Sequence, residues 1–254
     1  NYFLSSNRVF SRKLNEIRAQ LKREGVFEAN RVLPAPAEFT HVAVVAPDAA
    51  AGLGDFMREA KALEAAGLTR FEVFSATFQG AQAPKSVGDA LRQVAIRQAE
   101  LTVGSELTVG SAQARAPGVD GRSAGGFDCI CVIRGGGAVA DMAWLNDLGL
   151  AQQLCRLSLP VLTGIGHERD NCILDEIANR RFDTPSKVVG HILETVVANA
   201  RQANEDLKEV VAIATRTADL LDARSDGLAS QVRQTAGERV AEADAGLELA
   251  REQV

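Results

Sequence analysis

A chain of 254 residues, 46% of them apolar, is long enough for one ordinary core plus an accessory element, which excludes general disorder. No apolar run approaches the roughly 18 residues that a membrane span needs. Residues 1–10 also lack the basic start and long apolar middle of a secretion signal, so a cytoplasmic protein with no membrane attachment is expected. The net charge of −5 is local. Residues 183–254 carry 8 basic and 13 acidic groups and residues 1–182 carry 20 of each, so the charge of the globular part neither selects nor excludes a polyanionic ligand.

In chain order, residues 7–24 read as an amphipathic helix with Leu14, Ile17 and Leu21 on one stripe. Pro34 and Pro36 end that segment, and His41–Val45 follows as a first strand. A helix over 53–66 stops at Gly67, a natural C-terminal cap. A strand at 71–74 and a helix over 87–100 come next. Residues 101–126 break the rhythm: Leu101-Thr-Val-Gly-Ser105 is repeated as Leu107-Thr-Val-Gly-Ser111, and the stretch reads as an insertion, either a surface loop or a poorly paired hairpin. A strand at 129–133, a helix over 141–157, a strand at 161–165 and a helix over 170–180 complete the alternation. Short apolar runs alternating with amphipathic helices predict an α/β fold with an open, mostly parallel sheet and flanking helices. The four cysteines, 129, 131, 155 and 172, show no metal-ligand spacing and read as reduced core residues.

From Pro185 to Val254 there is no further proline, and Leu193, Ala200, Leu207, Ala214, Leu221 and Leu228 recur every seven residues, with Val196, Ala203 and Val210 three positions on. This heptad pattern predicts a long coiled-coil helix, which needs a partner because so long a stripe cannot be buried on a compact domain. Self-association or a separate helical protein would serve; a hairpin broken at Gly227 or Gly237 is the alternative. The domains are therefore drawn as 1–184, α/β, and 185–254, a helical arm.

Chemistry concentrates at strand ends. Val161-Leu-Thr-Gly-Ile-Gly-His-Glu-Arg-Asp170 is a strand whose carboxyl end delivers Gly166, His167 and Asp170, and Cys129-Ile-Cys-Val-Ile-Arg134-Gly-Gly-Gly137 repeats the design. Open parallel sheets bind ligands at that edge. Gly135, Gly136 and Gly137 let backbone N–H groups approach a phosphate, and Arg134 adds a planar fork matched to its oxygens. A tight strand-to-helix turn would explain the glycines without any ligand, but a charge at a buried strand end needs a reason. His167 suits proton transfer near neutral pH, and Asp170 can orient its ring. After the first strand, Asp55 would lie one turn into the next helix, near the same crevice, and Asp48 reads as that helix's N-cap. His41 and His191 lack such surroundings and read as structural.

Taken together these residues resemble the catalytic domain of the exonuclease VII large-subunit family. The resemblance runs from Leu14-Asn-Glu-Ile-Arg-Ala-Gln-Leu-Lys-Arg-Glu-Gly25 through Arg134-Gly-Gly-Gly137, Asp141, Asn146-Asp147 and Gly164-Ile-Gly-His-Glu-Arg-Asp170 to Thr184-Pro-Ser186. It implies exonucleolytic hydrolysis of single-stranded DNA to short oligonucleotides with no metal or other cofactor, by Arg134, His167, Asp170 and Asp55. Gly135, Gly136, Gly137, Gly166, Thr184 and Ser186 would contact substrate, and the helical arm would carry small subunits in a homo-oligomeric assembly. The sequence departs from the family pattern in places. Ala46-Pro-Asp48-Ala-Ala stands where Thr-Ser-x-Thr-Gly is expected, Lys187-Val-Val-Gly replaces an alanine-rich run, and residues before 10 are too few for the family's oligonucleotide-binding domain. These departures are what favour the alternative, a non-hydrolytic nucleic-acid or phosphate-binding scaffold acting through its coiled coil.

Overall fold

A computed structural model describes residues 2–48, 53–107, 125–135, 142–166 and 172–252. Five strands, β1 (His41–Ala46), β2 (Arg70–Ser75), β3 (Cys129–Ile133), β4 (Val161–Gly164) and β5 (Arg180–Arg181), form one sheet in the order β2-β1-β3-β4-β5. Every pairing is parallel, with Val42 opposite both Phe71 and Cys129, and Ile130 opposite Val161. All strand carboxyl ends therefore share one edge of the sheet. The helices are α1 (Tyr2–Arg23), α2 (Gly54–Ala65), α3 (Ala83–Leu107), α4 (Leu148–Cys155), α5 (Ile173–Ile177) and α6 (Pro185–Glu252), with a 3₁₀ turn at Ala143–Leu145. The parallel α/β sheet with flanking helices and a long C-terminal helix is thus the observed architecture.

The inner strands β1, β3 and β4 are buried along their whole length, because helices cover both faces; such strands are apolar at every position rather than alternately. On one face, Ala43, Val45, Ile130 and Val132 meet Leu14, Ile17 and Leu21 of α1, Val87 and Leu91 of α3, and Leu150 and Leu154 of α4. On the other, Val42, Val44, Cys131 and Leu162 meet Phe56, Ala60 and Leu63 of α2 and Val188, Val189 and Ile192 at the start of α6. Cys129 and Cys131 share this second face, and all four cysteines are buried free thiols. Burial pushes the Cys155 thiol up to about 11 and the Cys172 thiol up to about 12, as expected of unreactive core cysteines. Asn30, fully buried, accepts from Val161 N at 2.9 Å and Asn179 N at 3.1 Å and donates to Leu159 O at 2.9 Å. One side chain thereby holds the entry to β4 and the approach to β5.

Several elements differ from the sequence expectation. Helix α3 continues through Leu107, so the first copy of the tandem repeat is helical rather than part of a loop or hairpin; residues 108–124 lie outside the described residues. The helix expected over 141–157 is a 3₁₀ turn followed by α4, interrupted where the Asp147 side chain accepts from Leu150 N at 3.0 Å and caps α4. Asp48 does not cap α2, which starts after Leu53 without a side-chain cap; among the described residues Asp48 accepts a hydrogen bond from the Ser75 hydroxyl, and residues 49–52 lie outside the described residues. The helix expected over 170–180 is reduced to the five residues of α5, because Arg180 and Arg181 pair with Leu162 and Thr163 as β5.

The chain divides into two units, 1–198 and 199–254. The first turns of α6 belong to the first unit, where Val188, Val189 and Ile192 are fully buried. In the second unit the helix runs without a break through Gly227 and Gly237, and residues 199–246 are all exposed, Leu207, Val210, Leu221 and Leu228 among them. Among the described residues, no helix is long and apolar enough to cross a membrane.

Candidate active site

The strand order contains one reversal of direction. From β1 the chain passes through α2 on one face to β2, then returns through α3 on the other face to β3, on the far side of β1. Connections leaving two neighbouring strands on opposite faces open a crevice at their carboxyl ends, where open α/β sheets bind ligands. Here that crevice lies between the ends of β1 and β3. Arg134 is the first residue after β3 and is only 5% exposed. Its backbone N–H donates to Gly164 O at 3.2 Å, which ties the end of β3 to the end of β4. Gly135 is buried beside it; Gly136, Gly137 and Asp141 lie outside the described residues.

At the end of β4, two glycines are closely approached, Gly164 by backbone atoms and Gly166 by the flexible end of Met142. A Cβ on Gly164 would stand 2.7 Å from Val188 Cγ2, 3.1 Å from Thr184 O and 3.2 Å from Pro185 N. The absence of a side chain at Gly164 is what lets α6 begin directly over the strand end. A Cβ on Gly166 would meet Met142 Sδ at 3.1 Å and Asp175 Oδ2 at 3.5 Å. His167 follows Gly166 in the chain, but His167 and Asp170 lie outside the described residues. Thr184 Oγ1 accepts from Lys187 N at 3.3 Å, an N-terminal cap for α6 that places Pro185 in the first turn, where its missing N–H costs nothing. Ser186 is half-buried in that same turn. Asp55 sits in the first turn of α2, on the sheet edge that carries Arg134, but its side chain is exposed and accepts from Arg58 Nη1 at 3.0 Å.

The described candidates, Arg134, Gly135, Gly166, Asp55, Thr184 and Ser186, therefore all follow strands at one edge of the sheet. Arg134, Gly164, Thr184 and the start of α6 are joined by the contacts just given, whereas the Asp55 carboxylate is turned to its own helix. Among the described residues, no three His, Cys, Asp or Glu side chains converge as metal ligands. The two remaining histidines are engaged elsewhere. His41 stacks on Phe127 at 4.4 Å and faces Glu72 at 3.6 Å, and His191 lies against Phe182 at 5.3 Å with Arg180 Nη1 at 3.2 Å. Burial lowers the pKa of both.

Two side chains at this edge escaped the sequence reading. Asp175 of α5 is 6% exposed, and Thr163, the β4 residue beside Gly164, is fully buried. Burial raises the Asp175 pKa from the ordinary carboxyl value, against the pull of the Thr163 hydroxyl and the Arg181 guanidinium. The available signal was a carboxylate set in the apolar run Ile173-Leu-Asp-Glu-Ile177. Asn146, also buried, is structural: its Oδ1 accepts from Ile173 N at 2.8 Å and fixes the start of α5.

Comparison with known proteins covers most of the chain. Residues 26–254 match the family model described as exonuclease VII, large subunit. The chain is similar to the exodeoxyribonuclease 7 large subunit of Deinococcus radiodurans, 45% identical over 227 residues, covering 87% of this chain and 49% of that protein. It is also similar to the proteins of the same name from Delftia acidovorans, 32% identical over 67% of this chain and 35% of the relative, and from Synechococcus sp. strain CC9605, 29% identical over 72% of this chain and 40% of the relative. It spans about half, or less, of the length of these curated relatives. A family match over residues 26–254, with Arg134 and the Gly164–Gly166 turn at the crevice edge of a parallel sheet, leaves one conclusion: the chain belongs to the exonuclease VII large-subunit family.

Proposed function

We propose that this chain is the catalytic core of an exodeoxyribonuclease that hydrolyses single-stranded DNA to short oligonucleotides without a metal ion. In this reading residues 1–184 do the chemistry, and the arm, 185–254, assembles with helical small subunits in a homo-oligomer in the cytoplasm. The observation that carries the reading is a buried arginine, Arg134, at the crevice edge of a sheet whose sequence matches the family. Water attacks phosphorus and the bond to the leaving sugar oxygen breaks; negative charge builds on the equatorial oxygens. Arg134 and the N–H groups of Gly135–Gly137 and Gly166 neutralise that charge, which a preorganised donor does at no reorganisation cost. His167 takes the proton of the attacking water or returns one to the leaving oxygen, Asp170 orients its ring, and Asp55 positions the water. Thr184 and Ser186, at the start of α6, contact the neighbouring phosphate.

The test is end-labelled single-stranded DNA incubated with the chain in excess EDTA. Arg134→Ala is expected to lower the rate about 10²–10³-fold and His167→Ala about 10²–10⁴-fold. Full activity in either variant would remove the mechanism, and inhibition of the parent by EDTA would remove metal independence. The departure of Ala46-Pro-Asp48-Ala-Ala from the family pattern favours a second reading, a non-hydrolytic nucleic-acid-binding scaffold acting through its coiled coil. DNA binding without cleavage, with the small subunit supplied, would select it.

A further inference from the structure

Asp175 is a carboxyl group in an unusual place. It projects from α5 under the Gly166 turn, with Oδ2 3.5 Å from the point a Cβ on Gly166 would occupy, and is 94% buried by its 6% exposure. Neither carboxyl oxygen finds a well-formed hydrogen bond among the described residues, and the neighbouring Thr163 Oγ1, equally buried, finds none either. Three buried polar atoms thus meet at the end of β4, one residue before His167. A native protein does not keep such a cluster for stability, because an apolar set of the same shape costs less.

We propose that Asp175 is a positioning residue of the hydrolytic site, a buried carboxyl that with the Thr163 hydroxyl holds Gly166, the residue before His167 in the chain, and governs the acidic side of the activity profile. The proposal rests on the nuclease reading above and deepens it. The working form is the carboxylate, which carries a negative charge and offers two acceptor oxygens beside Gly166. Once protonated it loses one acceptor and that charge. Among the described residues, the charged and titratable groups around it are Arg181 of β5, Asp183 before α6, Glu176 of α5 and Cys172 just before that helix, with Arg18 of α1 engaged by Glu176. Arg181 and Thr163 favour the carboxylate, while burial, Glu176 and Asp183 oppose it. The balance raises its pKa above that of an exposed aspartate, burial being the largest cause.

The experiment compares pH–kcat profiles of the full chain and of two near-isosteric variants on fluorophore-labelled single-stranded DNA. Asp175→Asn removes the titrating group and its charge, so the acidic limb moves to lower pH by about half a unit or more while kcat falls about tenfold, less than the ~10²–10⁴-fold a proton-transferring group supplies. Thr163→Val removes the hydroxyl that favours the carboxylate, so the limb moves the opposite way, to higher pH. A merely structural role would lower kcat in both variants and leave both limbs in place, and that result overturns the proposal. If Asp175→Asn does not fold, the Thr163→Val displacement decides alone. A parent that cleaves with unmoved limbs in the variants defeats only this inference; a parent that does not cleave defeats the nuclease reading and this inference with it.

Discussion

Residues 42–45 and residues 207–213 are built from the same aliphatic side chains and meet opposite fates. Val42, Ala43, Val44 and Val45 are completely buried, whereas Leu207, Val210, Val211 and Ile213 are all more than half exposed. The difference is not in propensity, since each segment adopts the structure its pattern predicts. A strand flanked by β2 and β3 and covered on two faces by helices finds all its neighbours within residues 1–198. Along the helix over 199–246 the described side chains are all exposed, and the stripe has the heptad pattern of a coiled-coil surface. The lesson is that apolar patterning specifies burial, while the topology decides whether the burying surface is in the same chain.

The comparison can be broken at its strongest point first. Leu162, fully buried between β3 and the start of α6, should cost about 2–5 kcal/mol when changed to Ala, read as a lowered denaturant midpoint at unchanged slope. A smaller loss, about 1–3 kcal/mol, is expected for Gly164→Ala, because the added methyl meets the Thr184 carbonyl and Pro185 nitrogen at 3.1 and 3.2 Å as well as a movable Val188 methyl. If that variant were neutral, the seating of α6 on β4 would be looser than the contacts indicate. The smallest effect belongs to Leu207→Ala and Leu221→Ala, which should change the stability of the chain alone by less than about 0.5 kcal/mol. The same pair should abolish binding of a helical small subunit, measured by size-exclusion chromatography with light scattering. A loss of about 2 kcal/mol in the unpartnered chain would show that the stripe is already covered and would end the contrast.

Much of the candidate site's edge was legible in the sequence. Arg134 and Gly166 could be placed because a charge or a Gly-x-Gly pair after a fully apolar run marks the carboxyl end of a buried strand. Asp175 and Thr163 could not. Each lies inside an apolar segment, and only the arrival of α5 beneath the Gly166 turn makes neighbours of them. Asp55 was placed on the right turn of the right helix, yet the exposed pairing of its carboxylate with Arg58 is a side-chain choice that spacing does not encode. The shortening of α5 has a similar origin. Arg180 and Arg181 have no strand signature, and they form β5 because the backbone of β4 offers an open edge at Leu162 and Thr163.

The sequence by itself determined strands β1 to β4, most of the helices and the heptad arm, since short apolar runs and the periods of 3.6 and 3.5 are carried by local sequence. It also determined that glycines and an arginine would stand at strand ends, because those residue types are costly anywhere else in a buried sheet. The tertiary structure alone decided the strand order and therefore the crevice between β1 and β3. It alone decided the close approach of α6 that makes a side chain at Gly164 costly, and the burial of Asp175 beneath the site. These are contacts between segments far apart in the chain, and their energies depend on distances that no local pattern carries.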